Sequence, residues 1–441
     1  MSDHSGVLDA LVRGEWIEPG TGERRGIPIG SIAIRDTLDG AEAELLADLH
    51  AGQSLAVVSD PYTHEALGRR VFDALEAAGL PVTEFVWERP QCSDKGVETV
   101  RAATRGRDAL IAVGSGTVND TVKYASFLDG RPYSVFPTSP MNAFTTSTAS
   151  VSFGGFKKSI TCHGAKGVFF DLSVLATCPP RLVSAAYADV ICRTTSQVDW
   201  LLSHLLFGTA YSDTPYALLA IDEPAMIAEA AALLAGDLDA LGTLTRISAI
   251  MGLGTSFTES THSGSMHEHM ISHYIDMFAG ERHPRTSHGE QVGVATVTMS
   301  RLQNDVLTRE SPPVLGATAI PEAWMRERFE PGVAANLIEQ SRAKALDARQ
   351  ADALNERLAV EWPVLRERLM KVMLPFDTLH GSMGEAGSQR TADELGLDPE
   401  FYREAVANAR WIRDRFGMLD VAGDTAGDGV RLAPFVASMP V

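Results

Sequence analysis

Five of the chain's twelve histidines fall between residues 263 and 293: His267, His269, His273, His283 and His288. His269 and His273 are four apart, so a helix would set both on one face. His288 comes nineteen residues after His269, beyond Gly280 and Pro284. Neutral imidazoles gathered from two segments can hold a transition metal, and a carboxylate from elsewhere would complete an open three-ligand site. The spacing is not the His-Glu-x-x-His signature of metalloproteases. The competing reading is a set of surface or capping histidines.

Other residues offer chemistry at a distance in sequence. Asp189 and Asp199 are lone carboxylates in the otherwise apolar stretch 185–200, where a charge is costly unless paired, coordinated or solvent-facing. Asp189, among Tyr187, Ala188, Val190 and Ile191, is the better candidate for a ligand carboxylate; an ion pair with Arg193 is the alternative. Gly114, Ser115, Gly116 and Thr117 follow the apolar run 109–113 and open a helical stretch that includes Asp120. The glycines would let backbone N–H groups approach a pyrophosphate, with Thr117 capping the helix that faces it. A plain strand-to-helix turn reads the same way, because Gly-x-Gly-x-x-Gly is not formed. Asp60, just past another apolar run, suits a ribose hydroxyl or a turn. Lys157 and Lys158 can hold a phosphate as point charges, or decorate a hairpin turn.

The elements that must carry these residues alternate at first. Short apolar runs at 54–59, 81–87, 109–113, 133–136 and 167–171 read as strands, with helices at 64–78, 96–104 and from the 114–120 motif to 126. That rhythm predicts a parallel, doubly wound sheet. Residues 1–50 read as Gly-rich and polar, ending in a helix at 41–50, and 138–152 reads as strand or loop. After Cys178-Pro179-Pro180 the texture changes. The segments 181–209, 223–235, 238–252, 265–278, 288–307, 333–346, 349–374 and 398–416 have helical spacing and almost no β-branched runs. The expected fold is an α/β Rossmann-like domain, 1–180, followed by an all-α domain, 181–441. The last residues, from about 423, read as a loose tail.

At 441 residues, 45% hydrophobic and 22% charged, the composition is that of an ordinary globular chain of two or three domains. A net charge of -19 argues against nucleic acid or an anionic membrane as partner, since both need a basic surface. A small anionic ligand needs only a few local cations. Cys92, Cys162, Cys178 and Cys192 are scattered without paired spacing and read as reduced thiols of a cytoplasmic protein. Residues 1–16 lack the pattern of a signal peptide, and no apolar run approaches the ~20 residues of a membrane span.

Several motifs occur in a telling order: the 114–120 stretch, Pro137-Thr138-Ser139-Pro140, Gly155-Phe156-Lys157-Lys158, Ala188-Asp189, Val198-Asp199-Trp200, Ser263-Gly264, His269-x3-His273 and His288-Gly289-Glu290. Together with Glu394-Leu395-Gly396-Leu397 and 409–415 they resemble the sn-glycerol-1-phosphate dehydrogenase family. That family belongs to the superfamily of iron-type alcohol dehydrogenases, glycerol dehydrogenases and dehydroquinate synthases. The resemblance implies a Rossmann-like domain, a helical domain and an active site in the cleft between them. It puts one divalent metal on Asp189, His269 and His288, with zinc the first choice and nickel or iron as alternatives. It puts NAD or NADP on Gly114, Ser115, Gly116 and Thr117, with Asp60, Asp120, Thr138 and Ser139 in the same site. Asp60 favours NAD, because a carboxylate repels a 2′-phosphate. His273 becomes a proton donor or relay, and Lys157, Lys158 or Arg193 the phosphate holders. Relatives suggest a homodimer.

One departure matters. Where the family carries an aspartate followed by glycine, this chain has Met141-Asn142-Ala143-Phe144, one residue shorter. Asn142 can orient a substrate by hydrogen bonding but cannot act as a base. Arg193 also stands where lysine is commoner, and Cys192 where glycine is usual. The expected activity is metal-dependent, NAD(P)-linked reduction of dihydroxyacetone phosphate or a related hydroxyketone. A cyclase of the dehydroquinate synthase type, using NAD transiently, is the second reading. A non-catalytic cofactor-binding relative is the third.

Overall fold

Runs of five or six apolar residues, buried on both faces, form the centre of the sheet in a computed structural model of the chain. It describes residues 2–154 and 156–440, with the backbone alone for Phe156 and Lys157. Trp16–Ile17 (β1) and Arg24–Arg25 (β2) make a short antiparallel ladder. Ser31–Arg35 (β3), Leu55–Ser59 (β4), Val82–Val86 (β5), Ala109–Gly114 (β6) and Tyr133–Pro137 (β7) follow. Thr148–Phe153 (β8) and Phe156–Thr161 (β9) pair as a separate hairpin, and Gly167–Asp171 is β10. Six strands pair in parallel in the order β3-β10-β7-β6-β4-β5. Every residue of β4, β6, β7 and β10 is buried, as expected where helices cover both faces.

The chain leaves β4 towards β5 on one side and leaves β6 towards β7 on the other. The carboxyl ends of β4 and β6 therefore flank the topological switch point, where open α/β sheets bind ligands. Asp60 follows β4, and Gly114 ends β6.

Packing divides the chain into two compact units. The first runs to Ala186 and takes in Asp213–Ser260; the second holds Tyr187–Ser212 and the described residues from Thr261 on. This differs from the single boundary expected at 180–181. The helix Leu238–Thr258 is buried along most of its length and packs on β3 and on the helix Leu172–Leu175. It therefore shares the core of the sheet rather than that of the later helices. The second unit is helical apart from the two-residue ladder of Val314–Leu315 (β11) with Thr425–Ala426 (β12).

Two other expectations change. Ser31–Arg35 is an edge strand within the stretch read as polar, and its partner β10 lies far along the chain. The supposed tail carries the helix Leu432–Ser438, whose Leu432, Phe435 and Val436 enter the core of the second unit. Among the described residues no helix is long and apolar enough to cross a membrane.

A buried ion cluster ties the sheet edge to its helices. Arg70 bonds Glu42 at 2.7 Å and also bonds Asp171. Asp171 accepts from the Leu38 N–H at 2.9 Å and from Ser173 Oγ at 2.5 Å. Burial alone would raise the Asp171 pKa, but these bonds and Arg70 hold it below the ordinary carboxylate value. The stabilisation is thus complete above the ordinary range near 4 and is lost as pH falls through the depressed folded value. Asp171→Asn should cost about 3 kcal/mol at neutral pH and flatten the acid limb of stability below about pH 5. Urea unfolding across pH measures both, and parallel pH profiles for the two proteins would contradict the assignment.

Candidate active site

Asp189, His269 and His288 come from three helix ends within the second unit. Asp189 is near the end of Pro180–Ile191, His269 is in the first turn of His267–Phe278, and His288 opens His288–Leu307. One ligand atom from each lies within 4.8 Å of the others. His269 Nε2 is 3.4 Å from Asp189 Oδ1, and the His269 and His288 rings are 5.0 Å apart. Gly293 allows this approach: a Cβ there would come within 2.8 Å of the Ala188 Cβ. A Ser287–Glu290 capping box fixes the start of the helix that carries His288.

Each imidazole is held by its other nitrogen. His269 Nδ1 lies 3.1 Å from Glu268 Oε1, which also accepts the Met266 N–H at 2.6 Å. Thr195 donates to Glu268 Oε2 at 3.2 Å. His288 Nδ1 is 3.1 Å from Ser272 Oγ, and Ser272 donates to Gln291 Oε1 at 2.8 Å. Both Nε2 atoms are therefore the ones available to a metal, the arrangement expected of oriented ligands. Burial alone would lower the His269 pKa, yet the hydrogen bonds to Asp189 and Glu268 push it up to about 9. The surroundings favour positive charge, and the oxygen-and-two-nitrogen donor set fits a divalent transition metal.

Glu268, Ser272 and Gln291 went unnoticed in the sequence. Adjacency to His269 is the one signal that pointed to Glu268; nothing local marks the other two. His273 stacks on His288 with ring centres 5.5 Å apart and planes at 28°. His283 Nε2 lies 3.1 Å from Asp276 Oδ1 and 3.1 Å from Gln291 Nε2. His267, outside the expected ligand set, is fully buried between two aspartates. Its Nδ1 is 2.8 Å from Asp199 and its Nε2 3.2 Å from Asp420. Lys344 and Arg410 bond Asp420 at 2.8 and 3.1 Å. These cations and His267 hold Asp420 well below the usual carboxylate range against the effect of its burial. Asp199, the other lone carboxylate of its helix, is thus a structural anchor for the start of the histidine helix.

Arg193 directs Nη1 to Gln197 Oε1 at 2.9 Å and to the Val372 carbonyl at 3.2 Å. The second bond ties the helix of Arg193 to the carboxyl end of the helix Ala348–Val372.

The cofactor candidates lie in the first unit. Ser115, not Thr117, is the N-cap of the helix Gly116–Leu128, and its side chain makes no cap bond. The first-turn N–H groups have no acidic neighbour in that turn, which suits an anion. In front of Gly116 a Cβ would meet only Ala143, at 3.9 Å. The Thr138 N–H bonds the Gly114 carbonyl, and the buried Ser139 hydroxyl has no hydrogen-bond partner among the described residues. Asp60 uses Oδ1 to cap the turn Pro61–Thr63. Asp120, expected at the cofactor, has internal partners on both oxygens: Asn119 and Lys123 on Oδ1, and the Ser150 N–H on Oδ2.

The shortened loop is pinned from two sides. Lys123, fully buried, donates to the carbonyls of Ala143 and Thr148 at 2.9 and 2.8 Å. Thr145 donates to the Ala249 carbonyl at 2.6 Å. Gly252 makes the room: a Cβ there would lie 2.2 Å from the Asn142 carbonyl oxygen. The Lys157-Lys158 pair sits on the β8–β9 hairpin, with Lys158 exposed and the Lys157 side chain outside the described residues.

A family model described as iron-containing alcohol dehydrogenase matches residues 33–179. The chain is 25% identical over 419 residues to a glycerol-1-phosphate dehydrogenase (NAD(P)+) of Bacillus velezensis, spanning 92% of this chain and 95% of that protein. It is 25% identical over 412 residues to a protein of the same name from Methanothermobacter thermautotrophicus, spanning 93% and 96%. The crystal structure of glycerol dehydrogenase from Schizosaccharomyces pombe has the same fold, with a TM-score of 0.63 at 16% identity over 93% of this chain and 88% of that one. The fold is thus that of glycerol dehydrogenase, and the first third of the chain matches the iron-containing alcohol dehydrogenase model. Along nearly its whole length the chain is similar to proteins named glycerol-1-phosphate dehydrogenase.

The support given to His269 has a measurable consequence. Glu268→Gln keeps the shape but removes the charge behind the ring, and should weaken zinc affinity about 10- to 100-fold. Competition with a chromophoric chelator measures this; equal affinities would remove Glu268 from the site.

Proposed function

We propose that the chain is a metal-dependent, NAD(P)-linked dehydrogenase that interconverts a phosphorylated hydroxyketone, dihydroxyacetone phosphate or a near relative, with its alcohol. The observation that carries this reading is the convergence of Asp189, His269 and His288, one carboxylate and two oriented imidazoles. Relatives named for glycerol-1-phosphate supply the substrate class. When bound, the metal supplies Lewis-acid polarisation of the carbonyl oxygen, and the nicotinamide carries the hydride. Zinc is the first choice, with nickel or iron as alternatives.

The chain's own residues do the rest. Glu268 and Ser272 keep the two rings turned so that Nε2 of each is presented. Asp189 brings the one negative charge of the ligand set. His273, against His288, is the proton donor or relay. The N–H groups at the start of Gly116–Leu128 receive the cofactor diphosphate, with Thr138 and Ser139 beside them. Asp60 favours NAD over NADP. Asn142 orients a hydroxyl or carboxamide without contributing charge. A cytoplasmic homodimer completes the reading.

Turnover of dihydroxyacetone phosphate with net oxidation of NADH, by enzyme carrying one divalent metal, is the expected result. His269→Ala should lose the metal and slow turnover at least about a thousandfold. Full activity in the metal-free variant would sink the proposal. Product formation without net change in NADH would instead identify the cyclase chemistry that the altered Asn142 loop makes conceivable.

A further inference from the structure

Two arginines after the turn Ala409–Trp411 make no ion pair among the described residues. Arg415 donates to the Ser265 carbonyl and, at 2.7 Å, to Thr261 Oγ1. Arg413, two residues earlier, makes no ion pair or hydrogen bond among the described residues. Both are partly buried. Burial pushes the Arg413 pKa down, and burial together with the charge of Arg413 pushes that of Arg415 down to about 9. His262, beside Thr261, feels burial and both guanidinium groups, and its pKa falls to about 3. The acidic groups nearby are Asp414, which is exposed and acts on both arginines, and Glu268, which acts on Arg415 and is engaged by His269, Met266 and Thr195.

Desolvating a guanidinium is expensive unless an opposite charge compensates it. Elsewhere in this unit the chain meets that cost: Arg410 faces both Asp420 and Asp424, and Lys344 faces Asp420. With 57 acidic residues against 38 basic ones, carboxylates are not scarce. Two like charges left together without one form a ready place for an anion. The planar guanidinium fork matches phosphate oxygens, and the Thr261 hydroxyl adds a third polar group. The segment that Arg415 grips, Thr261 to Ser265, leads directly into the helix of His269.

We propose that Arg413 and Arg415, with the Thr261 hydroxyl, form an anion subsite that receives the phosphoryl group of the substrate. This rests on the reading of the protein as a dehydrogenase of a phosphorylated ketone. It moves the phosphate away from Lys157, Lys158 and Arg193, the holders expected from sequence.

Isothermal titration of the zinc-loaded, full-length protein with inorganic phosphate tests the subsite without requiring turnover. Wild type should bind phosphate, and Arg413→Gln should bind it at least about tenfold more weakly. Arg413 has no protein partner, so the variant should melt at the wild-type temperature. In turnover, the preference for dihydroxyacetone phosphate over dihydroxyacetone, as a ratio of kcat/KM, should fall by a similar factor. Phosphate should compete with dihydroxyacetone phosphate and not with NADH. Weakened phosphate binding in Arg413→Gln upholds the subsite even where dihydroxyacetone phosphate is not turned over, an outcome that faults the functional reading alone. Equal binding by the two proteins, binding by neither, or competition with NADH only would overturn the proposal. So would a loss in Lys158→Ala that Arg413→Gln does not share.

Discussion

A carboxylate buried against two imidazoles is the constraint to which the helical unit answers. Asp189 sits in an apolar helix, where an uncompensated charge would cost several kcal/mol. Its neighbours make that position tolerable only in combination. Gly293 lets the next helix come close enough to bring His288, and Glu268 turns His269 so that Nε2 faces Asp189. With Asp189 on one side of His269 and Glu268 on the other, the centre calls for a cation. The geometry is set by helix ends rather than by loops, so the ligands share the rigidity of the core around them.

Charge is spent differently in different places of this acidic chain. In the sheet unit, Arg70 gathers Glu42 and Asp171 at the edge, and Lys123 fastens the Asn142 loop through two carbonyls. In the helical unit, Asp199, His267, Asp420, Lys344 and Arg410 form a closed, alternating network beneath the histidine helix. In these networks the charged groups face partners of opposite sign. The proposed metal site and the Arg413–Arg415 pair differ, with excess negative charge at one and excess positive charge at the other.

Much of this was legible from the chain. Strands buried on both faces are short and largely apolar, so β4, β6, β7 and β10 announced themselves. The edge strand β3 did not, because its partner lies more than a hundred residues away. Helical spacing revealed Leu238–Thr258 but not which core it joins, since periodicity carries no address. Asp189 stood out as a lone carboxylate among apolar neighbours. The histidines were conspicuous by type, yet spacing alone could not choose among them; the ordered resemblance did. It also set His267 aside, although that ring is the most completely enclosed of the cluster. The partners of a buried histidine, here Asp199 and Asp420, come from remote helices and leave no local trace. Glu268 was hidden for a different reason: an acidic residue in a first turn reads as a response to the helix dipole.

X-ray absorption spectroscopy at the zinc edge of the purified, zinc-loaded protein bears most directly on the central claim. Coordination by Asp189, His269 and His288 predicts nitrogen and oxygen neighbours at about 2.0–2.2 Å, with imidazole scattering and no sulfur shell. His269→Ala should abolish the signal from bound metal. A sulfur shell near 2.3 Å would put the ion on the neighbouring Cys192, Glu268 and His269 group instead. That result, or stoichiometric zinc retained by the variant, would contradict the account.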